Sequence, residues 1–357
     1  MYAKRLTLLL AALAALPIQG CAIADDETPS MRLAVVGDSD SQSYQGIAGR
    51  DGSRGGPVYH AGTLQWTEAL QRLRGRQVNL GDWGRYGTPG PIARLMERFG
   101  LPARSPMKRD FRYNFAISGA VCDDLMGQQR QVPRLVRLMD QAPARWRDGV
   151  VVIRIGVNSF GQRRHLERLA EDPSDPEVLG SIDRCIAEVG RAVAYLQAHH
   201  PQVRVVLVGI FDDANVGGNI HLWQTPRQLR NIALALDRYD DALKAMAARD
   251  ARVAFFNDRA WFAALWGGRA ADGTPAYREV VVVGSFRVCN TQGDAPWNAV
   301  LADGHAGTAW NGLWAKALVH LLNHRFQAGI TPIEQAELAP LLQAGMQSAG
   351  NAGCASG

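Results

Sequence analysis

Four short apolar runs set what this chain can fold into: Met31 to Gly37 (MRLAVVG), Gly149 to Ile155 (GVVVIRI), Val203 to Gly209 (VRVVLVG) and Arg252 to Phe256 (RVAFF). None alternates apolar with polar, as a strand with one wet face would. The continuous Val and Ile content of GVVVIRI marks a strand buried on both faces, which is the habit of a parallel sheet covered by helices on each side. Gln77 to Leu80 reads as a second short strand and Val280 to Val283 as an added one. Helical spacing fills the intervals, at Thr63 to Leu73, 120–141, 178–199, 225–249 and Thr308 to Phe326. Strands alternating with helices predict βαβ units and an α/β fold, a three-layer α/β/α sandwich with a central parallel sheet. Right-handed crossovers then gather the chemistry at the C-terminal ends of the strands. Gly- and Pro-rich stretches at 40–62 and 81–91 read as loops. Residues 31–330 read as one domain, and 331–357 as a C-terminal helix and a flexible tail.

The N-terminus reads as an export signal over residues 1–24. Lys4 and Arg5 form a positive start, and the apolar stretch from Leu6 to Leu16 is too short for a stable membrane span. Two processing readings stay open. Ile18-Gln19-Gly20-Cys21 resembles a bacterial lipobox, with a lipidated Cys21 giving membrane attachment; Ala22-Ile23-Ala24 offers cleavage before Asp25. Either places the protein in the periplasm or cell envelope. Export also makes disulfides permissible for Cys122, Cys185, Cys289 and Cys354, whose pairing sequence does not choose.

The net charge of +5 is carried by basic residues spread along the chain, with no Lys/Arg block interleaved with aromatics. That pattern points to a solvated surface and away from nucleic acid. No Cys or His spacing resembles a zinc site, and no cofactor is implied.

Four places carry chemistry, each at the edge of an expected element. The first strand runs into Gly37-Asp38-Ser39. Asn114 to Ala120 (NFAISGA) is a short apolar run ending at Gly119. Gly156-Val157-Asn158 follows the second clear strand. Asp303-Gly304-His305 precedes the last helix. A serine hydroxyl is a poor nucleophile unless a base takes its proton, and an imidazole titrates near neutral pH. His305 is the candidate base for Ser39, with Asp303 orienting its ring.

In this order the four motifs resemble those of the SGNH hydrolase superfamily, the GDSL-type esterases and lipases. The resemblance covers residues 31 to about 326 and implies a flavodoxin-like form of the three-layer sandwich. It implies a serine esterase that cleaves carboxylic esters, O-acetyl esters among them, through an acyl-serine. Its oxyanion hole would be the backbone N–H groups of Ser39 and Gly119 and the side-chain amide of Asn158. Its substrate would be a small-molecule, lipid or saccharide ester. Two departures stand out: Ser159 replaces the Asp that usually follows the motif Asn, and Asp303 lies two residues before His305 where the family has three. A cell-envelope O-acyltransferase with the same Ser and His, or a non-catalytic binding domain on the same fold, are the alternatives.

Several residues have plainer readings. Asp38 is expected to bond local backbone. Asp212 and Asp213 face the same rim, where they could line the substrate site, but read better as loop carboxylates in solvent. His199 and His200 end a helix and read as capping or solvated. Most of the tryptophans read as packing residues.

Overall fold

The computed structural model describes residues 30–44 and 63–343, apart from 271, 279, 284 and 285. The expected signal segment with Cys21, the loop residue His60, Cys354 and the tail beyond 343 lie outside the described residues.

The chain runs β1 (Met31–Gly37), α1 (Trp66–Arg74), β2 (Val78–Asn79), β3 (Trp83–Tyr86), α2 (Gly90–Arg98), β4 (Lys108–Phe111) and α3 (Gln131–Met139). It continues through β5 (Val150–Arg154), α4 (Arg163–Glu171), α5 (Pro176–His199), β6 (Arg204–Val208), α6 (Pro226–Arg249) and β7 (Val253–Phe256). It then forms α7 (Asp258–Trp266), β8 (Gly267–Arg269), β9 (Pro275–Tyr277), β10 (Val280–Val283), β11 (Phe286–Gln292), β12 (Asn298–Val300) and α8 (Thr308–Phe326).

Five strands make one parallel sheet in the order β2-β1-β5-β6-β7. Its side chains sort to the two faces with the period of two that a strand imposes. Ala34, Val36, Val151, Ile153, Val205 and Leu207 pack with α3, α5 and α6. Leu33, Val35, Val150, Val152, Val206 and Val208 pack with α1, α7 and α8. Both faces are covered, and so the strands are apolar at every position but their ends. The order reverses between β1 and β5, one crossover going each way. In an open α/β sheet this switch point, at the carboxyl ends of the strands, is where a crevice opens.

Helix starts follow the local chemistry. Asp175 caps α5, accepting from the N–H groups of Glu177 and Val178 ahead of Pro176 in the first turn. Thr225 and Gln228 form a capping box at α6.

The expected helix over 120–141 is shorter. A 3₁₀ turn at Cys122–Asp124 precedes α3, which starts only at Gln131, after Arg130 in the left-handed region (φ 48°). Cys122 is bonded to Cys185 of α5, which pins this stretch as a loop. The expected loop at 81–91 includes β3, which pairs antiparallel with β4, and the start of α2. Pro91 opens α2 where its missing N–H costs nothing. His199 is exposed, with Nδ1 2.9 Å from Tyr195 O, whereas His200 is buried against Asp140 (3.0 Å) and is not solvated. Trp66, Trp310 and Trp314 are fully buried, as packing residues should be.

Candidate functional site

Ser39 stands on the turn that follows β1. Gly37 is needed there: its φ is 153°, and a Cβ would lie 1.9 Å from Arg154 O on the neighbouring strand. Gln131 clasps this glycine from α3, its Oε1 accepting from Gly37 N–H (2.7 Å) and its Nε2 donating to Gly37 O (2.9 Å).

The carbonyls along this turn are each held by a donor. Asp38 O accepts from the N–H groups of Ser41 and Gln42. Ser39 O accepts from Gln65 Nε2 (3.1 Å), Asp40 O from the Arg154 guanidinium (3.0 Å) and Ser41 O from Asn114 Nδ2 (2.7 Å). Asp38 bonds local backbone as expected, its Oδ1 accepting from Asp40 N–H (3.0 Å). Burial, reinforced by Asp40, pushes the Asp38 carboxyl up to about 8.

Gly119 lies across the cleft at φ 79°, on a loop tied back to the Ser39 turn by Ser118 N–H donating to Gln42 Oε1 (2.7 Å). Asn158 sits in a π-helical turn, Val157–Gly161, directly after β5. Its Oδ1 accepts from Gln162 Nε2 and its Nδ2 donates to Ala120 O, both at 3.0 Å. These bonds fix which way the amide faces and leave a second Nδ2 hydrogen. Ser159, which stands where the family has Asp, accepts from the Cys122 backbone N–H (3.0 Å) and joins the Asn158 turn to the Gly119 loop.

His305 rides a tight loop between β12 and α8. The Val300–Ala306 bridge and the bond from Leu301 N–H to His305 O (2.7 Å) close that loop. The ring Nδ1 lies 3.0 Å from Asp303 Oδ2, and Asp303 Oδ1 accepts the His305 backbone N–H (3.1 Å). Tyr44 meets the ring edge-on at 6.0 Å. Burial opposes the charged ring, but Asp303, by hydrogen bond and by charge, outweighs it with help from Asp40 and raises the His305 pKa.

All five residues expected from sequence, Ser39, Gly119, Asn158, Asp303 and His305, line one cleft of about 680 Å³. Asp213 lines it too, half-buried rather than free in solvent. Desolvation, with Asp40 and Asp212 nearby, pushes its carboxyl up to about 7. Sequence reading missed the scaffold beneath: Gln65, Asn114, Gln131 and above all Arg154. Arg154 is buried with Asp258 (3.0 Å), and its guanidinium lies 4.7 Å from the Trp314 ring centre. A charge at the end of the otherwise apolar run GVVVIRI was the available signal.

The family described as GDSL-like Lipase/Acylhydrolase matches residues 33–257, from β1 through β7. Asp303 and His305 lie beyond that span. No curated protein matches the chain. Among solved structures, a mutant of an acetyl-xylooligosaccharide esterase from Geobacillus Stearmophilus is 16% identical, covering 85% of this chain and 96% of its own, with a TM-score of 0.39. An extracellular lipase from Streptomyces rimosus is 18% identical over 69% of this chain and 86% of its own (TM-score 0.35). A phospholipase A1 from Streptomyces albidoflavus NA297 is 14% identical over 82% and 99% (TM-score 0.35). With its doubly covered parallel sheet and a family match over most of its length, the chain belongs to the GDSL-like lipase/acylhydrolase family and is an ester-hydrolysing enzyme.

Proposed function

We propose that the protein is an exported serine esterase that removes short acyl groups, acetyl above all, from a polar alcohol. Ser39 Oγ attacks the ester carbonyl carbon while His305 Nε2 takes its proton. The oxyanion is held by the backbone N–H groups of Ser39 and Gly119 and by Asn158 Nδ2. Collapse breaks the ester bond, and the leaving alcohol takes the proton from His305. Water then attacks the acyl-serine by the same route, releasing the acid and restoring Ser39. Asp303 holds the ring in the right tautomer and stabilises the imidazolium.

The observation that carries this reading is the shared cleft: Ser39, His305 with Asp303 behind it, Gly119 and Asn158 line one opening at the switch point of the sheet. The lining supports a short acyl group on a polar alcohol. Asp40, Gln162, Asp213, Asn219 and Gln292 line the cleft beside a smaller apolar share. Such walls suit a hydroxyl-rich leaving group, a saccharide ester in particular, better than a lipid chain. Export to the periplasm or cell envelope rests on the basic start and apolar segment of residues 1–24.

The test is hydrolysis of p-nitrophenyl acetate, butyrate and octanoate by wild type, Ser39→Ala and His305→Ala. Fluorophosphonate labelling runs alongside. The reading requires fastest turnover of acetate, loss in both variants and labelling that Ser39→Ala abolishes. Labelling that persists in Ser39→Ala moves the nucleophile elsewhere and sinks it.

A further inference from the structure

Residues 83–112 leave the sheet from the end of β2 and return where Tyr113–Ile117 bonds alongside β1. Because β2 runs parallel to β1, this excursion departs from the edge that carries Ser39. It is the β3–β4 hairpin with α2 carried between its strands, closed at the neck by Thr88 N–H donating to Arg104 O (2.8 Å).

Its helix faces the wrong way for a core. Only Ala93 of α2 is buried. Ile92, Leu95 and Phe99, spaced to share one face of the helix, are 50%, 56% and 72% exposed, with Leu101 and Met107 exposed beside them. The side of α2 turned to the protein carries Glu97 instead, held by Arg134 at 3.0 Å. An ion pair docks this helix, and its apolar stripe is left outward.

The charge is concentrated in the same place. The chain has a net charge of +5; residues 83–112 hold seven basic residues and two acids, an excess equal to the whole. Both acids are engaged inward, Glu97 with Arg134 and Asp110 with Lys108 (2.8 Å). Arg85, Arg94, Arg98, Arg109 and Arg112 are exposed, and none makes an ion pair among the described residues.

We infer that the 83–112 excursion docks the enzyme on an anionic phospholipid bilayer, its apolar stripe entering the acyl boundary and its arginines meeting headgroup phosphates. An anionic polysaccharide or a nucleic acid would use the arginines but leave Leu95 and Phe99 in water. A second copy across a two-fold axis would bring the same arginines face to face. The docking needs no acyl group on Cys21, and it stands apart from the esterase reading.

The test uses the full chain with Cys21→Ala and vesicles of phosphatidylcholine, with and without about one quarter phosphatidylglycerol. Co-sedimentation is expected to be at least about tenfold stronger on the anionic vesicles and to weaken with salt. Leu95→Ser/Phe99→Ser and Arg94→Glu/Arg98→Glu should each lose about tenfold in binding while turnover of soluble p-nitrophenyl acetate stays unchanged. Circular dichroism and thermal unfolding report folding independently of activity, and if one pair fails to fold the other decides. Equal binding to both vesicles, or variants that bind like the parent, overturn the inference. So does a parent dimer that Leu95→Ser/Phe99→Ser splits without any vesicle binding.

Discussion

Asp303 holds His305 at two points, its Oδ1 on the backbone N–H at 3.1 Å and its Oδ2 3.0 Å from the ring Nδ1. A single residue separates them, and Gly304 at φ 91° lets the chain curl back that tightly. The short spacing is therefore compatible with an orienting carboxylate. Asp303→Asn can keep the acceptor for the backbone bond but loses the charge beside the ring. Its kcat on p-nitrophenyl acetate is expected to fall about 10³- to 10⁴-fold with KM nearly unchanged. A kcat within a few-fold of wild type would remove Asp303 from the mechanism.

The pH profile follows from the same contact. Only a neutral imidazole can take the Ser39 proton, and the net effect of burial and nearby carboxylates is to raise the His305 pKa. The acid limb of kcat/KM should thus have its midpoint above the ordinary imidazole value of about 6.5. Removing the Asp303 charge withdraws the chief support of the imidazolium, so Asp303→Asn should move that limb to lower pH. Profiles of the two enzymes measured on one substrate decide it; a limb that stays in place in the variant excludes His305 as the titrating base.

Arg154 and Asp258 form a buried pair directly behind the Ser39 turn. Asp258 also accepts from Trp314 Nε1 (3.1 Å), and Arg154 donates to Asp40 O (3.0 Å). Removing one partner leaves the other charge buried, which typically costs about 3–5 kcal/mol. Arg154→Met and Asp258→Leu should each lower unfolding free energy by that order, and the double variant should lose less than their sum. Arg154→Met should also slow turnover, because Asp40 O loses its donor. Denaturant unfolding and kcat measured on all four proteins complete the cycle; strict additivity would show that the two residues are energetically independent.

The same residues show what sequence can and cannot carry. β1, β5, β6 and β7 are legible to within a residue or so, because a doubly buried strand must be apolar throughout and little else in the chain is. Ser39, Gly119, Asn158 and His305 are legible by place, since each ends or begins an element at one edge of that sheet. Gln65, Asn114 and Arg154 are not. Their partners are the backbone carbonyls of residues 39–42, and which side chain reaches each carbonyl depends on the folded turn, not on spacing. The 83–112 excursion fails for another reason: its apolar residues face outward, so their period reports no core, and its Gly and Pro content reads as loop. Asp213 looks like a solvated loop acid until the fold turns it into the cleft.

The Cys122–Cys185 bond ties the loop of Gly119 to α5, three residues beyond the glycine, and closes a sequence separation of 63. On loop entropy alone a closure of that size is worth about 4 kcal/mol. The double variant Cys122→Ala/Cys185→Ala should therefore lose about 2–4 kcal/mol of stability. The effect on rate is the sharper question. Ser159 Oγ holds the same loop through the Cys122 N–H, so two ties, one covalent and one not, fix where Gly119 presents its backbone N–H. If that N–H stabilises the oxyanion, cutting either tie should lower kcat well below the unfolding temperature, and Ser159→Ala with the disulfide removed should fall further than either alone. If stability drops in the cysteine variant while kcat holds, the bond secures the fold only, and the Gly119 loop keeps its position through Ser118 and Gln42 on the other side.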